Sequence, residues 1–190
     1  MRKRAFAALA AMLGIVAVTI AVVVRPVGAA GAGAPGAGGS TVVVTAASID
    51  NLHWSTADTR PGGAASFVPG PATAPLGAGS LQMTSTASSA KAQLFNYDYA
   101  STPLADFTNL RYADYRSSSS TNSTAQRVSL NMEVYLSGGT SGWTTLVYEP
   151  IYQAGGIGAL QQNTWQSWNG LGAGVWWSTR TVTGASSTTF

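Results

Sequence analysis

RVSLNMEVYLSGGTSGWTTLVYEPIY, residues 127–152, is the stretch whose reading decides the fold. Val128, Leu130, Met132, Val134 and Leu136 alternate with Ser129, Asn131, Glu133, Tyr135 and Ser137. Successive strand side chains point to opposite faces, so a two-residue period of this length predicts a half-buried strand. Residues 137–142 (SGGTSG) supply turn chemistry, and residues 143–152 read as the returning strand. Pairing Ser137 with Trp143 puts Leu146 and Tyr148 on the apolar face and Thr145 and Glu149 beside Glu133 and Tyr135. Val147 falls on that second, polar face, against the pattern.

The rest of the chain repeats this grammar. Short β-branched or alternating runs occur at residues 41–45, 51–54, 64–68, 80–86, 91–99, 110–117, 164–168 and 175–180. Asp58-Thr59-Arg60-Pro61-Gly62-Gly63, Pro69-Gly70-Pro71 and the 170–174 GLGAG run break them. Residues 102–107 suit a single helical turn, and the serine-rich run 117–124 suits a surface loop. Residues 155–162 read as another loop. Short strands with turns between them and no amphipathic helix predict an all-β chain, an antiparallel β-sandwich of jelly-roll-like form. Residues 184–190 resemble the approach to a further strand, so the expected domain, 41–190, reads as truncated at its C-terminus.

The beginning has a different character. Arg2, Lys3 and Arg4 precede an apolar run at 5–24, and Val27-Gly28-Ala29 is a small-residue cleavage site. These are the parts of a secretory signal, expected as an N-terminal signal helix over residues 1–29, with a Gly/Ala/Pro-rich linker at 30–40. Twenty apolar residues are also long enough to span a bilayer, so membrane association follows only if the leader is retained as an anchor. The expected location is therefore secreted, outside the cell. The full chain has a net charge of +3, but four of its ten cations lie in the leader. Six cations then face seven acids, a balance that argues against nucleic acid as a partner. The chain has no cysteine, which excludes disulfides and zinc-thiolate sites.

Several landmarks together resemble a group of secreted, largely uncharacterised bacterial β-sandwich proteins of jelly-roll-like form. They are Asn51-Leu52 with Trp54, Asp58-Thr59-Arg60-Pro61-Gly62-Gly63, and Phe67-Val68 with Gly70-Pro71. Further on come Thr102-Pro103-Leu104-Ala105-Asp106, Thr145-Leu146-Val147-Tyr148-Glu149-Pro150, Thr164-Trp165-Gln166 with Trp168, and Trp177-Ser178. The resemblance spans about residues 49–180. It implies an extracellular sandwich whose relatives run on past this C-terminus, and it transfers no catalytic residue.

The polar face of the hairpin is the candidate site: Asn131, Glu133, Tyr135, Trp143, Thr145 and Glu149. Tyr and Trp offer apolar area with a polar handle, suited to stacking on sugar rings, while amides and carboxylates bond hydroxyls. An extracellular polysaccharide or cell-surface polymer is the expected partner; the competing reading is that the face packs beneath other parts of the chain. The enzymatic alternative makes Glu133 and Glu149 a carboxylate pair, diagonal neighbours about 7–8 Å apart in the assumed register. A structural or adhesive role with no small ligand is the third reading, and no catalytic residue is assigned if the domain only binds. Alternation sends Trp165 and Trp168 to opposite faces, and Trp176 and Trp177 likewise, so one of each pair is expected in the core. His53, the single histidine, would need Asp50 or Asp58 as partner in any triad, and no nucleophile-elbow motif accompanies it. Asp58 and Arg60 read as a local turn pair, and Asn122-Ser123-Thr124 as a sequon on an exposed loop. No cofactor is expected. A structural calcium ion would fit such a sandwich, with its ligands unassigned.

Overall fold

A computed structural model describes residues 18–26, 43–50, 53–135 and 143–180. The chain is all-β among these residues, with antiparallel sheets and short 3-10 turns. The strands are β1 (Val18–Pro26), β2 (Trp54–Ser55), β3 (Gly63–Val68), β4 (Ser80–Ser85), β5 (Phe95–Asn96), β6 (Phe107–Arg116), β7 (Leu130–Tyr135), β8 (Trp143–Tyr148), β9 (Trp165–Asn169) and β10 (Trp176–Ser178). They form a five-stranded sheet in the order β3-β4-β1-β6-β9, a three-stranded sheet β10-β8-β7, and the small pair β2-β5.

The hairpin at 127–152 forms as β7 and β8, and the faces fall as alternation requires. Val134, Thr144, Leu146 and Tyr148 are buried on one side, while Asn131, Glu133 and Tyr135 are exposed on the other. The pairing is Tyr135↔Trp143, not Ser137↔Trp143, and residues 136–142 lie outside those described. A shift of two residues preserves every face, because the side-chain period is also two.

One core cluster draws on both larger sheets. Leu110, Tyr112 and Trp168 come from the five-stranded sheet; Val134, Leu146, Tyr148 and Trp176 come from the three-stranded one. Tyr148 is the hinge of this contact. Its ring meets Tyr112 edge-on at 6.0 Å and Trp176 at 5.3 Å. The polar ends are satisfied inside the core: Tyr112 Oη donates to the Val128 carbonyl at 2.9 Å and Trp176 Nε1 to that of Gly170 at 2.8 Å. The opposite side of the five-stranded sheet is partly roofed by the loop after β3. There Trp165 packs against Tyr115 at 5.6 Å and donates Nε1 to the Pro71 carbonyl at 3.0 Å.

Four expectations need correction. Residues 18–24, expected within a signal helix, are part of β1, the central strand of the five-stranded sheet; the rest of the 1–29 leader and the 30–40 linker lie outside the described residues. Among the described residues, 43–45 pair with no strand; Thr45 instead opens a 3-10 turn at Ala46–Ser48, its backbone N–H donating to Ser48 Oγ at 3.2 Å. The 91–99 run yields only the two residues of β5, because Lys91 and Gln93 hydrogen-bond the Arg60 and Thr59 turn rather than a ladder. The serine-rich run is a loop, yet Ser120 within it is buried. The 3-10 turn at Leu104–Asp106 and the strands at 63–68, 80–85 and 107–116 fall where the sequence reads them, to within a few residues.

Candidate functional site

The outer face of the three-stranded sheet collects the residues that alternation sends there. Strand register sets them in rows: Tyr135 opposite Trp143, Glu133 opposite Thr145, and Asn131 opposite Val147, which in turn faces Trp177 of β10. Tyr135 and Trp177 are 64% and 44% exposed, so aromatic surface is open at both ends of the face. Val147, in the row between Asn131 and Trp177, is buried. Glu149 belongs to the same side: its Oε2 accepts a 2.8 Å hydrogen bond from Trp177 Nε1. Trp143 is not bare. The Arg180 guanidinium lies 3.4 Å from its ring centroid, a cation–π stack over one ring face.

All six sequence-predicted residues therefore share one face, and Trp177 and Arg180 join them. The sequence put Trp176 and Trp177 on opposite faces without saying which looks outward; the structure buries Trp176 and exposes Trp177. Arg180 was not, because nothing in its spacing declares the stack.

The register separates the two carboxylates. Thr145 faces Glu133, and Glu149 lies four residues further along β8's direction, about 13 Å at ~3.3 Å per residue. Glycoside hydrolysis uses carboxyls about 5–5.5 Å or 6.5–9.5 Å apart. The diagonal pairing on which the hydrolytic reading rested does not form.

A second polar grouping is buried. Asp114 on β6 is fully buried; both its oxygens accept from Arg127 Nη1 at 3.0 Å, and Oδ1 also accepts from Trp168 Nε1 at 2.7 Å. Arg127 reaches on to the Gln166 side chain and the Gln161 carbonyl. Burial pushes the Asp114 carboxyl up from its ordinary value, opposed by the Arg127 charge and by these hydrogen bonds. Arg116, two residues along the same face, is also fully buried. It donates Nη2 to the carbonyls of Ser120 and Asn122, while Nε and Nη1 have no hydrogen-bond partner among the described residues. This grouping fixes the 117–127 loop to the sheet.

Beside it, a cleft of ≈ 290 Å³ lies between residues 90–95 and the free edge of β7, with Met83, Tyr112 and Arg127 among its lining. Its walls mix hydroxyl, amide and apolar groups, and the two cations there already have anions: Arg127 holds Asp114, and Lys91 Nζ holds Asp58 at 2.6 Å.

The smaller motifs resolve locally. Asp58 pairs with Lys91 rather than Arg60, and that contact holds its carboxyl below the usual range. His53 Nδ1 meets Asp98, not Asp50 or Asp58; Asp50 instead accepts from the Thr56 backbone and hydroxyl at 2.8 and 3.0 Å. The triad partners named from sequence are thus engaged elsewhere. Asn122 lies in the loop clasped by Arg116. Among the described residues no three His, Asp or Glu side chains gather as a metal site.

Compared with known proteins, the chain matches no family model, no curated protein and no solved structure.

Proposed function

We propose that this chain is an exported, non-catalytic binding module, a β-sandwich of jelly-roll-like form, that recognises glycan or another extracellular polymer through the outer face of its three-stranded sheet. The observation that carries this reading is the grouping of Tyr135, Trp143 and Trp177 on one face with Asn131, Glu133 and Glu149. Exposed aromatics clustered on one surface mark binding more often than chance placement does. Tyr135 and Trp177 supply stacking area, and the amide and carboxylates accept and donate to hydroxyls. Without its leader the chain is slightly acidic, which favours a neutral or weakly charged polymer over nucleic acid.

A polysaccharide and glycan array read with wild type, Tyr135→Ala, Trp177→Ala and Trp143→Ala tests it. Wild type should give hits, and Tyr135→Ala and Trp177→Ala should each weaken them at least tenfold, about 1.4 kcal/mol. Trp143→Ala should weaken them less, since Arg180 already covers one side of that ring. Absence of any hit with correctly folded wild type ends the proposal.

A further inference from the structure

The centre of the five-stranded sheet is filled by residues that the export reading removes. β1 lies between β4 and β6 and pairs antiparallel with both. Along β6 the pairing covers nearly the whole strand, from Val18↔Arg116 to Pro26↔Phe107, whereas along β4 it covers only Val18↔Met83, Thr19↔Gln82 and Ile20↔Leu81. The same residues close the apolar run of the leader, and the cleavage signal at Val27-Gly28-Ala29 follows them directly. A chain cut there would keep β4 and β6 but lose the strand between them. Every backbone group that β6 directs at β1 would lose its partner beside Leu110, Tyr112, Asp114 and Arg116, all buried. Unpaired buried backbone polar groups are costly, so an open seat at a sheet's centre binds whatever extended strand can fill it.

We infer that the space between β4 and β6 is a strand-acceptor site: once the leader is gone it takes an extended segment donated by a partner polypeptide, and β1 occupies the seat until then. This rests on the export reading. The present occupant defines the chemistry of the donor. Apart from Ala21, VTIAVVVRP is β-branched over its first seven residues, which carry no charge, and its proline lies only at the end, beyond a register shift. A proline inside the seat would remove a bond from a strand paired on both sides. A charge opposite Asp114 would meet a carboxylate already saturated by Arg127 and Trp168.

The test begins with the full chain, folded, carrying a protease site placed in the 30–40 linker. After cutting, a labelled peptide of sequence VTIAVVVRP with a solubilising tag is added and its anisotropy followed. Saturable one-to-one binding is expected, displaced by unlabelled peptide, raising the melting temperature, and at least tenfold weaker for the peptide carrying Thr19→Pro, at a position paired with both β4 and β6. A cut chain that releases its leader fragment, keeps its stability and refuses the peptide overturns the inference, since another part of the chain then fills the seat. A concentration-dependent dimer that peptide cannot compete away overturns it in favour of a second copy. N-terminal sequencing of the exported protein reads the leader's fate separately: failure of export leaves the exchange result standing, and failure of exchange leaves export standing.

Discussion

Asp114 accepts hydrogen bonds on both oxygens inside the protein, and its charge is answered by Arg127 thirteen positions along the chain. Burying an ion pair contributes little net stability, but removing one member leaves a bare charge in a low-dielectric place. Asp114→Asn leaves the Arg127 guanidinium buried without its carboxylate, and should cost about 3–5 kcal/mol. Urea unfolding measures it; a loss under about 1 kcal/mol would mean that Arg127 finds water or another acceptor. None of this was legible in the sequence. Alternation places Asp114 and Arg116 on the same face as Leu110 and Tyr112, yet charge alone argues that they point outward. Only the partners, Arg127 and Trp168, make the inward position tolerable, and sequence spacing does not announce them. By contrast, that Trp176 and Trp177 take opposite faces, and Trp165 and Trp168 likewise, followed from alternation alone; which of each pair is buried, Trp176 and Trp168, came from the packing.

At the scale of elements, strands were readable where burial alternates along the chain, as in β3 and β7. The 91–99 run shows why pattern is insufficient. It alternates, but the Lys91 carbonyl accepts from Arg60 N–H at 2.9 Å and Gln93 N–H donates to Thr59 Oγ1 at 3.2 Å, so its backbone is committed to a turn. That docking depends on Gly63, the first residue of β3. A Cβ there would stand 2.1 Å from the Lys91 carbonyl oxygen and 2.5 Å from its carbon. Backbone cannot rotate away as a side chain can, so Gly63→Ala should cost about 1–3 kcal/mol by overpacking. Gly158→Ala, where an added Cβ meets nothing within 4 Å, is the control and should be nearly silent. Equal melting temperatures for the two variants would show that the 58–63 turn yields without cost. The hairpin register was misjudged for a related reason: faces are fixed by period two, whereas the pairing depends on the connection at 136–142, whose length pattern alone does not set.

For the molecule as a whole, the contact between the two larger sheets runs through two phenols, and this gives the fold a dependence on alkaline pH. Tyr148 is 3% exposed, and burial raises its hydroxyl from 10.0 to about 12. Burial pushes Tyr112 higher still, helped by the negative charge of Asp114. Below the unfolded value near 10 both states hold these protons, and the full stability is present. Above it the unfolded chain ionises first while the native state stays neutral, so stability falls as pH rises from about 10 and is lost through about 12. At about 1.36 kcal/mol per unit the Tyr148 share is on the order of 2–3 kcal/mol. A spectrophotometric titration of phenolate should show Tyr112 and Tyr148, beyond the burial-raised Tyr99, ionising late and together with loss of the near-ultraviolet dichroism of the packed aromatics. Because Tyr148 touches Tyr112 in one sheet and Trp176 in its own, both sheets should lose their signals in that same step. Delayed phenols that titrate reversibly while the dichroism persists would place water between the sheets, and a far-ultraviolet change that lags the near-ultraviolet one would show that each sheet holds without the other.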